Sequence, residues 1–92
     1  MTLEEFYQLQ SEPGAAVLMM TSATCAPCKG LQPIVTGMCA AVKIPLVMVD
    51  APSSKDLCMK FGIRSTPTLL YKPAGGEAAV VRSVEELLKA IT

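Results

Sequence analysis

Residues 15–22 limit the fold of this chain more than any other stretch. They form a continuous apolar run centred on Val17-Leu18-Met19-Met20, closed by Thr21-Ser22 and preceded by the turn residues Glu12-Pro13-Gly14. A strand with one wet face alternates polar and apolar residues, and this run does not. Its length and composition suit a strand buried on both faces. Such a strand belongs in the middle of a sheet covered by helices on both sides.

The flanking sequence supplies those helices. Thr2 with Glu5 has the pattern of a capping box, and Leu3, Phe6 and Tyr7 follow on one apolar helical face. After the central run, Leu31, Ile34, Val35, Met38 and Val42 stand at helical spacing in a second helix that reaches about residue 42. Pro33 should kink that helix, because its ring removes a backbone donor. Gly30 and Gly37 lower its propensity further, so packing on the sheet must hold it. Pro45 opens a second strand over residues 46–50. Ser53 or Ser54 can cap a short helix that buries Leu57 and Phe61 and stops at Gly62. Residues 68–71 and 78–81 read as two further strands, with Gly75-Gly76 as the hairpin turn between them. Ser83 with Glu86 is another capping box, and Val84, Leu87, Leu88 and Ile91 form a clean amphipathic stripe. The order is α-β-α-β-α-β-β-α. Strand–helix–strand at this spacing implies a parallel crossover, and the closing hairpin implies an antiparallel edge.

Length and charge narrow the function classes. The 92 residues make a single domain, 1–92. A chain of that size buries about 60–65% of its unfolded surface. Apolar residues account for 51% of it and the mean hydropathy is +0.43, which leaves apolar surface for partners. Eight basic and eight acidic residues cancel, so bulk charge favours neither nucleic acid nor an anionic membrane. No acid lies between Glu12 and Asp50, a gap that holds only Lys29 and Lys43. The acidic start Met1-Thr2-Leu3-Glu4-Glu5 is unlike a signal peptide, and residues 15–20 are too few to span a bilayer. With four cysteines and no dense cysteine framework, the expected location is the cytoplasm.

Thr24-Cys25-Ala26-Pro27-Cys28-Lys29 falls where the buried strand hands over to a helix. The free N–H groups and dipole of a first helical turn stabilise an anion. A thiolate at Cys25 therefore forms more readily than at a free cysteine, whose pKa is about 8.5. Lys29 adds a positive charge. The two-residue spacer lets both sulfurs meet in one turn, and Pro27 restrains the ring they close. The first sulfur can then attack a disulfide and the second can release the product. A zinc half-site is the competing reading, since ribbons also use C-x-x-C. A structural zinc site needs four ligands. The chain has no histidine, and only Cys39 and Cys58, single cysteines in expected helices, could complete the set.

On these residues the chain resembles the thioredoxin family. Cys25-Ala26-Pro27-Cys28-Lys29 matches its C-x-P-C-K core, and Pro33 stands where thioredoxins carry a helix-kinking proline. Phe61-Gly62-Ile63-Arg64-Ser65-Thr66-Pro67-Thr68-Leu69 is similar to the family segment [YF]-G-I-R-x-x-P-T-L, and Gly75-Gly76-Glu77 to the hairpin after it. The resemblance implies an α/β thioredoxin fold: a four-stranded mixed sheet, order β2-β1-β3-β4, where β1 to β4 are the strands read in chain order at residues 15–22, 46–50, 68–71 and 78–81, with two helices on each face. It implies a cis Thr66–Pro67 bond beside the cysteines, with the Thr66 backbone pairing an extended substrate. Cys25 is then the nucleophile and the more exposed sulfur, and Cys28 resolves. Thr24, Ala26, Pro27, Thr66 and Pro67 contact substrate, and Lys29 and Arg64 are electrostatic neighbours. The implied function is a thioredoxin-type reductant of protein disulfides, recycled by a reductase, monomeric, with no cofactor or metal beyond the redox disulfide. Read from sequence alone, Pro67 could equally open a strand.

The chain also departs from the family. Thr24 replaces the usual tryptophan, and the chain contains none. Met19 stands at the buried aspartate, and Leu46 at the lysine that accompanies it. Val81-Arg82 runs straight into the Ser83 cap, where thioredoxins place a glycine loop. Two alternatives follow: a glutaredoxin-like, glutathione-linked reductase, and a non-catalytic thioredoxin-like accessory subunit. Proline at the second spacer position favours the thioredoxin type over glutaredoxin. Cys39 lies about 16 Å along the helix from Cys28, too far to join its disulfide. In this fold Cys39 and Cys58 lie on opposite sheet faces, and both read as core fillers.

Overall fold

The computed structural model describes residues 1–92. In chain order the elements are α1 (Leu3–Ser11), β1 (Ala16–Thr21), α2 (Ala26–Ala41), β2 (Leu46–Asp50), a 3-10 turn (Ala51–Ser53), α3 (Lys55–Phe61), β3 (Thr68–Lys72), β4 (Ala79–Val81) and α4 (Val84–Ile91). The sheet has the order β2-β1-β3-β4, as the resemblance implies. β1 pairs in parallel with β2, from Val17 opposite Leu46 to Thr21 opposite Asp50. β3 runs antiparallel to β1, with Met20 opposite Thr68, and β4 antiparallel to β3.

The continuous apolar run becomes the central strand because both of its faces are covered. Alternate residues go to opposite sides. Val17 and Met19 pack with Val35 and Cys39 of α2, Leu69 of β3 and Leu87 of α4. Leu18 and Met20 pack with Phe6 of α1, Leu57 of α3, Val49 and Leu70. All four central side chains of β1 are fully buried. Two helices therefore lie on each face.

The helices show where local pattern and packing disagree. α2 runs unbroken through Pro33. Its buried stripe follows Cys28, Leu31, Val35, Met38 and Cys39, and Ile34 falls off its edge, 54% exposed. Neither serine caps α3 in the expected way. Ser54 occupies the N-cap position, but its hydroxyl donates to the Asp50 carbonyl at 2.8 Å. The Asp50 carboxylate instead accepts the Ser53 N–H and caps the 3-10 turn. In α4 the box is half formed. The Ser83 hydroxyl accepts the Glu86 N–H at 3.1 Å, while the Glu86 carboxylate takes the Arg82 N–H rather than that of Ser83. Leu88 stays about half exposed, so the stripe of α4 is narrower than its spacing suggested.

β3 is one residue longer than expected and ends on a buried lysine. The Lys72 ammonium donates to the backbone carbonyls of Glu12 and Gly14, in the turn between α1 and β1. In the hairpin, Gly75 has a φ of +72°, and a Cβ on Gly76 would meet Pro73 at 2.6 Å. Both positions thus need glycine. No helix is long and apolar enough to cross a membrane.

Candidate active site

The end of β1 and the start of α2 place the two cysteines. Cys25 is the N-cap of α2, in an extended conformation, and its own N–H donates to the Ser22 carbonyl at 3.2 Å. Pro27 lies in the first helical turn, where its missing N–H has no partner to lose. Cys25 and Cys28 are joined in a disulfide, with S–S 2.05 Å and Cα–Cα 5.3 Å. The Cys28 N–H donates to Cys25 Sγ at 3.2 Å. A first-turn donor is thus aimed at the first sulfur, the arrangement that favours a thiolate there once the bond is reduced. Both residues are buried, Cys25 at 6% and Cys28 at 3% exposure, so Cys25 is slightly the more open.

The sheet register brings the proline segment to the same place. Because Met20 faces Thr68 in an antiparallel pair, the residues before Thr68 run beside those after Met20. Thr66 and Pro67 therefore sit at the sheet end that carries Ser22 to Cys28. The Thr66–Pro67 peptide bond is cis, and both residues are half-buried. Pro67 lines a groove of about 370 Å³ with Leu31, Leu69, Val81 and Arg82. Thr66 lines a second groove of about 240 Å³ with Ser22, Cys58 and Arg64.

The remaining candidates separate by position. Thr24, Ala26 and Pro27 are exposed around the disulfide. Arg64 is exposed and shares its groove with Thr66. Lys29 lies on the outer side of α2 with Gln32 and Pro33, and lines neither groove. Arg82 was not singled out from the sequence, yet it lines the groove with Pro67. Its place follows from the pairing of Leu69 with Val81, which sets residue 82 beside Pro67.

Under the disulfide the floor is apolar. Met19 is fully buried in the same cluster as Cys25 and Cys28, and half-buried Leu46 packs against that cluster. A lone carboxylate there would be costly to bury, and methionine with leucine fills the space without a charge. Cys39 belongs to this cluster too, and burial pushes its thiol pKa up. Cys58 packs against the opposite core, its Sγ directed at the Ala51 carbonyl at 3.7 Å. Cys39 and Cys58 are both free. With Cys58 on the far side of the sheet, the four sulfurs do not converge on one ion.

A family model described as Thioredoxin matches residues 1–92. The chain belongs to the thioredoxin family. Thioredoxin C-2 of Corynebacterium nephridii is 40% identical over 48 residues, a stretch that covers 50% of this chain and 44% of that protein. Among solved structures, the oxidised mitochondrial thioredoxin 3 of Saccharomyces cerevisiae superimposes with a TM-score of 0.84 at 25% identity. That match covers 98% of this chain and 88% of the yeast protein. Thioredoxin NaTrxh from Nicotiana alata matches with a TM-score of 0.76 at 26% identity, covering 97% and 80%.

Proposed function

We propose that this thioredoxin-family chain reduces protein disulfides through the Cys25/Cys28 dithiol. The observation that carries the reading is the helix-capping Cys25, disulfide-bonded to Cys28 and receiving its N–H. Residues 1–92 act as one domain and one monomer. In the reduced state the Cys25 thiolate attacks one sulfur of a substrate disulfide. That S–S bond breaks, a mixed disulfide forms with Cys25, and the first substrate thiolate leaves and takes up a proton. Cys28 then loses its proton and attacks Cys25 Sγ. The mixed disulfide breaks and the second substrate thiol departs. Two electrons have moved to the substrate, and the Cys25–Cys28 disulfide remains for a reductase to reopen.

Each neighbour has a part in this cycle. The Thr66 backbone pairs with the extended substrate, and Pro67 with Thr24, Ala26 and Pro27 shapes its seat. Lys29 and Arg64 favour the thiolate electrostatically. Methionine cannot accept a proton, so Met19 leaves the proton of Cys28 to water or to the departing thiolate. Two free thiols elsewhere suit a reducing compartment, the cytoplasm, where such a domain serves electron transport.

The test is substitution followed by trapping. Cys25→Ser should abolish reduction of insulin disulfides by the pre-reduced protein. Cys28→Ser should accumulate proteins covalently bound through Cys25 and released by dithiothreitol. Capture of glutathione alone would replace this reading with a glutathione-linked one. Full biological activity in a Cys25→Ala chain would make it an accessory subunit instead.

A further inference from the structure

The two grooves lie on opposite sides of the Thr66–Pro67 bond. One reaches toward β4 and the start of α4, the other toward the segment after β2, and these strands are the two edges of the sheet. Each groove carries one arginine: Arg82 in the first, Arg64 in the second. Neither lining contains an acidic residue; apart from the arginines it is apolar or neutral. The Glu86 and Asp50 carboxylates lie outside both linings, and each accepts a backbone N–H. Glu86 accepts the Arg82 N–H at 3.3 Å, and Asp50 accepts the Ser53 N–H at 3.2 Å. Each arginine thus borders a groove whose own lining holds no carboxylate.

An extended segment that pairs with Thr66 beside Cys25 has one of these grooves on either side of the Thr66–Pro67 bond. The geometry points to acidic side chains on both sides of the substrate's reactive cysteine, one facing Arg64 and the other Arg82. This specificity rests on the dithiol reading above. The chain's net charge is zero, so no long-range field gathers acidic substrates. The selection acts at contact, within about 10 Å at ordinary ionic strength. A planar guanidinium matches a carboxylate in a way that a neutral amide does not. Lysine at the same substrate positions meets like charge.

The probes are octapeptides joined in self-quenched pairs by one disulfide, with glutamate, glutamine or lysine on both sides of the cysteine. Each is mixed with the pre-reduced protein after the reductant has been removed. A single turnover converts one peptide disulfide into two thiols and closes Cys25–Cys28. The glutamate pair should react about fivefold faster than the glutamine pair, as two exposed charge contacts allow. The lysine pair should be the slowest, and the spread should shrink in about 0.5 M KCl. Arg64→Gln and Arg82→Gln should each lower the glutamate-to-glutamine ratio, and the double variant should bring it to about one. Both side chains are exposed, so the variants leave the cores intact. Equal rates for the three peptides, or a ratio unchanged in the double variant, would overturn the acidic specificity alone. Failure to reduce any of them would overturn the dithiol reading beneath it.

Discussion

Cys39 and Cys58 are the same residue type in opposite cores, and their environments set different reactivities. Cys39 is 2% exposed and its thiol pKa is raised by burial, while Cys58 is half-buried at a groove. With the Cys25–Cys28 disulfide intact, iodoacetamide at about pH 8 should modify Cys58 first. Cys39 should lag by roughly 100-fold, since it reacts only when the structure opens. Peptide mass mapping over time reads both rates, and equal labelling would contradict the packing. The raised pKa also has a sign in stability. Between the unfolded thiol value and the higher folded one, the native state holds the extra proton, so stability falls as pH rises through that window. Cys39→Ala should flatten this alkaline decline in denaturation curves. At this scale the sequence was legible where chemistry dictates spacing, as in Cys25-x-x-Cys28. It was not legible at Arg82, whose place beside Pro67 comes from the pairing of Leu69 with Val81 across the hairpin.

Elements were readable by their apolar pattern and misread where a polar group does unexpected work. The apolar pattern ends the third strand at Tyr71 and leaves Lys72 outside it. It is instead the last residue of β3, opposite Ala16, and 1% exposed. Its ammonium takes the carbonyls of Glu12 and Gly14, which otherwise have no partner in the turn after α1. One side chain thus ties α1, the start of β1 and the end of β3 together. Lys72→Met keeps much of the apolar stem and removes the donors. It should cost about 1–3 kcal/mol, because two backbone acceptors lose their partner. For a domain of this size that is a fall in Tm of roughly 5–15 °C. A thermal melt by circular dichroism measures it, and an unchanged Tm would show that water replaces the ammonium without loss. The same logic explains α3. Its cap could not be assigned from Ser53-Ser54, because the competing acceptor, Asp50, is supplied by the strand before it.

At the scale of the whole molecule, the sheet separates chemistry from support. The alternation along β1 sends Val17 and Met19 into the core that holds both cysteines, and Leu18 and Met20 into the other. That two-sided burial was legible in the sequence, since only a doubly covered strand is apolar at every position. The strand order was not readable from periodicity and entered through the family resemblance. The division predicts a difference between two substitutions of similar size. Val35→Ala trims the core under Cys25 and Cys28, whereas Phe6→Leu trims the core across the sheet. Each should cost about 1–3 kcal/mol, from lost burial and a partly filled cavity. Both fit within the roughly 5–15 kcal/mol that holds a small domain together, so both should fold. Their effects on exchange should diverge. Phe6→Leu should leave the rate of Cys25 attack on a small aromatic disulfide within about twofold of the parent, because packing losses across the sheet relax locally. Val35→Ala loosens the apolar floor on which the disulfide rests and should change that rate together with stability. Urea denaturation paired with stopped-flow thiol exchange separates the two readouts. If Phe6→Leu altered exchange as much as Val35→Ala, the sheet would be transmitting strain between its faces, and the two cores would have to be treated as one.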